Sequence, residues 1–216
     1  MIKAIIFDLD GVLVSTDELH YRAWKALAGR LGVPFDRAKN DRCRGISRMA
    51  SLDIVLEDAP TAYTQAEREA FAAEKNETYR AMLASLTPAD TLEGVLPTLA
   101  ELRRRGYRLA LASVSKNAPL ILERTGLDRY LDAVADGNCI TRSKPDPEVF
   151  LKAAEKLGMA CESCAAMDDA LAGIEAGRAA GMLTIGFGDS AKNKAGDLNP
   201  ERFDELLGLF PDIKGR

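Results

Sequence analysis

The 216-residue chain is 47% apolar and 29% charged, with a formal net charge of −4. That length accommodates one core plus an inserted subdomain, buries roughly 70% of the unfolded surface, and needs no disulfide or structural metal to fold. Both charge signs are interspersed and no apolar run approaches the roughly 20 residues of a membrane span, which argues against nucleic-acid and membrane partners.

The start, MIKAIIFD, turns acidic too soon for a signal peptide, and the expected location is the cytoplasm. Residues 3–7 read as a short buried strand, followed at once by Asp8-Leu-Asp10-Gly11. From 17 to 85 the apolar spacing is helical with no convincing strand; LHYRAWKALAGRLG puts Leu19, Ala23, Trp24, Leu27 and Leu31 on one face. Ser15 and Thr16 sit where a helix cap is needed, and Ser15-x-x-Glu18 fits a capping box.

Beyond this block strand and helix alternate. Helical patterns cover 95–105, 117–125, 147–157 and 170–180, with a last one over 200–210, and strand-like runs cover 108–112, 133–135, 164–167 and 182–187. The run Arg103-Arg104-Arg105 before Gly106 suits a helix C-terminus, where cations oppose the macrodipole. The expected class is therefore α/β, with a doubly wound, mainly parallel Rossmann-like sheet and an inserted α-helical cap domain. Its expected boundaries are 1–15 with 86–216 for the core and 16–85 for the cap.

Cys43, Cys139, Cys161 and Cys164 are expected to be reduced, and the single Cys161-x-x-Cys164 pair lacks the second ligand pair of a zinc site. Asn76-Glu-Thr78 matches a glycosylation acceptor that a cytoplasmic chain does not use.

The chemistry concentrates where strands end. In a parallel sheet ligands gather at the carboxyl ends of strands, and Asp8 and Asp10 follow the first one. Two carboxylates that close repel and raise one pKa unless a cation or a proton is shared, and a magnesium ion resolves the conflict. A plain turn or a calcium loop would also use Asp-x-Asp-Gly, but the preceding apolar strand and Leu9, Val12, Leu13 and Val14 leave too few oxygen ligands for calcium. Downstream, Asp168-Asp169 repeats the pattern after the run CAAM and opens a helix, which one of the two could simply cap. ALASVSKN places Ser113, Ser115, Lys116 and Asn117 at a strand-to-helix junction suited to an anion, and SKPDPEVF places Lys144 before a Pro-x-Pro helix start.

DLDGVL, SVSKN, SKPDPEVF and DDALAG, in this order and with a helical insert after the first, resemble the haloacid dehalogenase superfamily of phosphotransferases over essentially the whole chain. Within it, DGVLVSTDELHYRAW, CRGISRMASL, KNETY and LTPAD are similar to the β-phosphoglucomutases, and Arg44-Gly-Ile-Ser-Arg48 is the most telling piece. The resemblance implies a magnesium-dependent enzyme that passes through an aspartyl phosphate and turns over a bound sugar bisphosphate. The chain departs from the pattern in carrying Asp168 where relatives often have Glu, Arg44 where some have Lys, and Val114 where some have Ala.

On that basis Asp8 is the expected nucleophile and, with the backbone carbonyl of Asp10, Asp168 and Asp169, the expected magnesium shell. The Asp10 carboxylate is the expected general acid/base, and Lys144 and Ser113 balance charge on the transferring phosphoryl group. Arg48 is expected to grip a second, non-reacting phosphate, with Ser115, Lys116 and Asn117 completing the grip. Arg44, Gly45, Ser47, Ser51, Lys75 and Val114 line the sugar. His20 and Trp24, one helical turn apart, and Thr16 link sugar binding to lid closure and to Asp10. The expected activity interconverts β-glucose 1-phosphate and glucose 6-phosphate through glucose 1,6-bisphosphate in a monomer. A sugar-phosphate phosphatase, which lets water attack instead, is the nearest rival; a non-catalytic sugar-phosphate sensor would be expected to lose Asp8 or Asp10 first.

Overall fold

The computed structural model describes residues 1–213, so the last three positions of the expected core segment, 214–216, lie outside the described residues. The chain divides into two compact units: residues up to Ser15 together with those from Thr87 onward, and Thr16–Leu86.

The first unit is built on five strands, β1 Ala4–Phe7, β2 Arg108–Ala112, β3 Ala133–Ala135, β4 Cys164–Asp168 and β5 Leu183–Gly186. They form one parallel sheet in the order β3-β2-β1-β4-β5. β1 is central, and all four of its side chains are fully buried, which is why AIIF reads as an unbroken apolar run rather than an alternating one. Phe7 lies level with Leu111 of β2 and Met167 of β4, so the segments that follow these three strands emerge at one end of the sheet.

Thr16–Leu86 contains α1 Asp17–Leu31, α2 Arg37–Arg42, α3 Arg48–Leu56 and α4 Gln65–Leu83. The core unit carries α5 Val95–Arg104, α6 Ala118–Thr125, α7 Glu148–Leu157, α8 Leu171–Ala179 and the short α9 Gly188–Lys192 and α10 Leu206–Leu209.

One face of the sheet, lined by Ala4, Ile6, Ala110, Ala112, Cys164 and Ala166, packs with Val149, Phe150, Ala153 and Leu157 of α7 and Ala176 of α8. The sheet side supplies mostly alanine, so the helices can approach closely and the bulk comes from Phe150 and Leu157. Each such large side chain contributes about 1.5–3 kcal/mol on burial. The alternate residues, Ile5, Phe7, Leu109, Leu111 and Met167, are also fully buried, and Phe7 meets Phe203 with ring centroids 5.8 Å apart.

The helical unit has its own core, in which Trp24, Leu27 and Ala28 of α1 meet Val33, Phe35, Leu52, Val55 and Ala72. Thr64 and Glu67 close a capping box at the start of α4. The box expected at Ser15-x-x-Glu18 does not form: Thr16 is the N-cap of α1 without a side-chain cap bond, and Glu18 pairs with Arg37 instead. The expected last helix over 200–210 is also reduced, to the 3-10 turn Phe203–Glu205 and the single turn of α10. Among the described residues no helix is long and apolar enough to cross a membrane.

Candidate active site

β1 delivers Asp8 to the carboxyl end of the sheet, where its N–H donates to Met167 O at 2.9 Å. β4 ends on Asp168, which is 2% exposed. The Lys144 ammonium donates to the Asp8 carboxylate, to Asp168 Oδ2 at 2.7 Å and to Ala112 O at 3.0 Å, so one buried cation ties together the ends of β1, β2 and β4. The Asp168 carboxylate also accepts the Ala170 N–H at 3.0 Å, which fixes the turn into α8; it does not cap that helix, whose N-cap Ala170 has no side-chain cap bond.

Asp169 stands beside the loop that follows β1. That loop is a tight turn in which Gly11 N–H donates to Val14 O at 2.7 Å and Leu13 N–H to Leu9 O at 2.9 Å. Gly11 has φ +80°, and a Cβ on it would overlap the Asp169 carboxylate; Gly173 in α8 leaves room for Asp168 in the same way. Neither glycine was legible as a site residue, because each is defined by a neighbour from another element.

Carboxylate oxygens of Asp8, Asp168 and Asp169 come within 4.8 Å of one another. Burial raises the Asp8 pKa well above the ordinary carboxylate value; the charge of Lys144 opposes this, and the charges of Asp168 and Asp169 add to it. For Lys144 burial acts downward, but Asp168 and Asp8 outweigh it and hold the ammonium protonated. Three carboxylates against one ammonium leave an excess of negative charge on an all-oxygen donor set, and that fits a hard divalent cation. The Asp10 carboxylate does not belong to this group of three, and Asp10 is half-buried in the turn beside it.

The β2-to-α6 junction is organised by its own hydroxyls. Ser113 Oγ accepts the Ser115 N–H at 3.1 Å, and Ser115 Oγ accepts the Asn117 N–H at 3.2 Å. Ser113 and Asn117 are buried, whereas Val114 and Ser115 are half-buried and Lys116 is exposed. The segment after β3 holds this loop in place: Gly137 N–H donates to Ser115 O at 3.2 Å, and Asn138 Nδ2 donates to Lys116 O at 3.1 Å and to Asp136 Oδ2 at 3.1 Å. Asp136-Gly137-Asn138 escaped the sequence reading, although an aspartate directly after an apolar run is the same signal that marked Asp8.

In the helical unit, Lys75 is 3% exposed, with Nζ 2.9 Å from His20 Nδ1 and 4.6 Å from the ring centroids of both Trp24 and Tyr79. The Tyr79 ring packs against His20 with centroids 4.0 Å apart and planes tilted by 35°, and its hydroxyl lies 2.8 Å from Thr16 Oγ1. Thr16, His20, Trp24 and Lys75 thus form one cluster, whose fifth member, Tyr79, was missed although it lies one turn after Lys75 on α4.

Burial, then the Lys75 and Arg48 charges, push the His20 pKa well below 6.5. The ring is neutral, with Nδ1 accepting from the ammonium. His20 ring signals are expected to stay flat in an NMR titration from about pH 8 to about pH 5.5, and a midpoint near 6.5 would contradict the cluster. Because the depressed value belongs to the folded state, the unfolded chain takes up the extra proton, so this contribution to stability is lost as pH falls below the unfolded pKa.

Of the other expected residues, Arg44 pairs with Asp17 at 3.3 Å, and Gly45 takes φ +71° in the loop before α3. Ser47 Oγ accepts the Ala50 N–H at 3.2 Å and so caps α3. The buried Ser51 hydroxyl donates to Ser47 O at 3.1 Å. Arg48 is half-buried and forms no hydrogen bond or ion pair among the described residues.

A family model described as haloacid dehalogenase-like hydrolase matches residues 2–181. The chain belongs to this family. Among haloacid dehalogenase-like proteins it is 42% identical to a β-phosphoglucomutase from Bacillus subtilis, over 94% of this chain and 91% of that one. It is 33% identical to a fructose-1-phosphate phosphatase from Escherichia coli, over 84% and 94% of the two chains. The crystal structure of β-phosphoglucomutase from Clostridium difficile is similar in fold, with a TM-score of 0.90 at 35% identity, covering 97% of this chain and 95% of the other.

Proposed function

We propose that the protein is a β-phosphoglucomutase, interconverting β-D-glucose 1-phosphate and D-glucose 6-phosphate through glucose 1,6-bisphosphate. The similarity to the Bacillus subtilis and Clostridium difficile β-phosphoglucomutases, which spans both units, supports a phosphomutase. The observation that carries it over simple hydrolysis is Arg48, a half-buried guanidinium with no hydrogen bond or ion pair among the described residues and therefore suited to a phosphate that does not react.

Asp8, Asp168 and Asp169, with the Asp10 carbonyl, would hold magnesium, which supplies neutralising charge at the phosphoryl oxygens. Asp8 carries the phosphoryl group. In one half-reaction the sugar 6-hydroxyl attacks phosphorus and gives its proton to the Asp10 carboxylate, and the Asp8 oxygen–phosphorus bond breaks. In the other, the bisphosphate presents its 1-phosphate, Asp8 attacks phosphorus, and Asp10 returns the proton to the departing sugar oxygen. Lys144 and Ser113 balance charge on the transferring group. In the helical unit Arg48 is the group suited to the other phosphate and Arg44, Gly45 and Ser47 those suited to the sugar; in the core unit Ser115, Lys116 and Asn117 offer further donors for phosphate.

The test supplies β-glucose 1-phosphate, magnesium and a trace of glucose 1,6-bisphosphate, and follows glucose 6-phosphate and free phosphate separately. Glucose 6-phosphate is expected in large excess. Free phosphate without the isomer would replace this reading with a sugar-phosphate phosphatase, the alternative to which the Escherichia coli relative points. A single species at the mass of one chain in sedimentation is expected of the monomer.

A further inference from the structure

The loop that carries Lys144 is fastened by two carboxylates to which the reaction above assigns no part. Lys144 is the second residue of a turn closed by the Asp146 N–H, which donates to Ser143 O at 3.1 Å. After that turn the Asp146 carboxylate accepts the Glu148 N–H at 3.0 Å, and α7 begins. Before it the Glu148 carboxylate reaches back: Oε2 accepts the Arg142 N–H at 2.7 Å and the Thr141 N–H at 3.1 Å, and the Thr141 hydroxyl donates to the same oxygen at 3.1 Å. Phe150 of the same helix places its ring centroid 5.1 Å from the Lys144 ammonium.

Three donors on one carboxylate oxygen exceed what a helix N-terminus requires. An acid in the first turn opposes the macrodipole by its charge alone. Glu148 is instead half-buried and turned onto backbone groups six and seven residues before it. Arg142 Nε also lies 3.6 Å from the carboxylate, but that guanidinium is exposed and adds little. The backbone bonds fix residues 141 and 142, and Lys144 follows with its ammonium on Asp8, Asp168 and Ala112 O. Because the ammonium meets three strand ends at once, a shift of the loop withdraws it from the reacting carboxylate without removing any core side chain.

We propose that Glu148 is a positioning residue for phosphoryl transfer: through the N–H groups of Thr141 and Arg142 it fixes the loop from which Lys144 reaches Asp8 and Asp168. This rests on the role given to Lys144 above.

The experiment compares wild type, Glu148→Gln and Glu148→Asp for kcat and KM on acetyl phosphate with magnesium, well below each thermal midpoint and with rates taken per folded enzyme. Glutamine keeps an oxygen where Oε2 accepts both N–H groups and turns its NH2 to the Thr141 hydroxyl, so kcat is expected to stay within about threefold of wild type. Aspartate keeps the charge but withdraws it by one methylene, and kcat is expected to fall roughly 10- to 100-fold with KM within about twofold. A helix-end charge predicts the reverse order, with aspartate harmless and glutamine harmful. That order would overturn the proposal, as would a change in KM alone or losses confined to the thermal midpoint. The 1H–15N signal of the Lys144 ammonium, recognised by its contact with the Phe150 ring, is an independent readout: it is expected in wild type and Glu148→Gln, and shifted or lost in Glu148→Asp. An identical signal in all three proteins would overturn the proposal whatever the rates. Acetyl phosphate consumption reports phosphorylation of the enzyme whether or not an isomer forms, so a failure of the mutase reading shows separately, in the glucose 6-phosphate assay.

Discussion

Asp8→Asn is expected to lower kcat by roughly 10⁴-fold or more while leaving the fold intact, the scale on which enzymes lose activity when a covalent nucleophile is removed. The amide keeps the volume of a side chain that is 9% exposed, so no cavity opens. It loses one charged acceptor for Lys144, but it also relieves the crowding with Asp168 and Asp169 that raises the Asp8 pKa. These effects oppose each other, and the change in stability is expected to stay within about 1 kcal/mol. A kinetic collapse at nearly constant thermal midpoint separates a chemical role from a structural one. Full activity in this variant would remove the covalent step from the mechanism.

Lys144→Met is expected to fail differently. The ammonium is the only cation hydrogen-bonded to the Asp8 and Asp168 carboxylates among the described residues, and it is 6% exposed. Methionine conserves the volume but leaves buried carboxylates facing each other, and breaking a buried ion pair from one side costs about 3–5 kcal/mol. For a chain of this size that lowers the melting midpoint by roughly 6 to 20 °C. Added magnesium is expected to restore part of the loss, since it neutralises the same carboxylates. An unchanged midpoint, or one indifferent to magnesium, would mean that the cluster is not held by charge. Lys144 also bonds Ala112 O, so activity is expected to fall beyond what stability alone explains.

Much of this site could be read from the chain because its parts share one local signal. Asp8, Ser113 and Asp168 each end an apolar run, and a parallel sheet brings such ends to the same edge. β3, only three residues long, was legible because Ala133–Ala135 stands between polar segments. The helical insert was legible from its spacing, since Ala23, Trp24, Leu27 and Ala28 are the buried face of α1.

What escaped depends on neighbours distant in sequence. Gly11 and Gly173 matter because Asp169 and Asp168 occupy the space a Cβ would need, and nothing in their own segments says so. Thr16 looked like a partner in helix capping, yet its hydroxyl lies against Tyr79, 63 residues away. The 200–210 segment was periodic enough for a helix, but only Leu206–Leu209 forms an α-turn, and Phe203 points into the core beside Phe7. There tertiary packing overrides a short periodic pattern.

In the proposed reaction a carboxylate oxygen of Asp8 takes the phosphoryl group. The most direct measurement mixes the magnesium-loaded enzyme with acetyl phosphate or glucose 1,6-bisphosphate, quenches in acid, and maps the peptides by mass spectrometry. One added phosphoryl group is expected on the peptide containing Asp8, with none in Asp8→Asn and none when magnesium is withheld. A phosphoryl group on any other residue, or full turnover with no labelled peptide under single-turnover conditions, would contradict it.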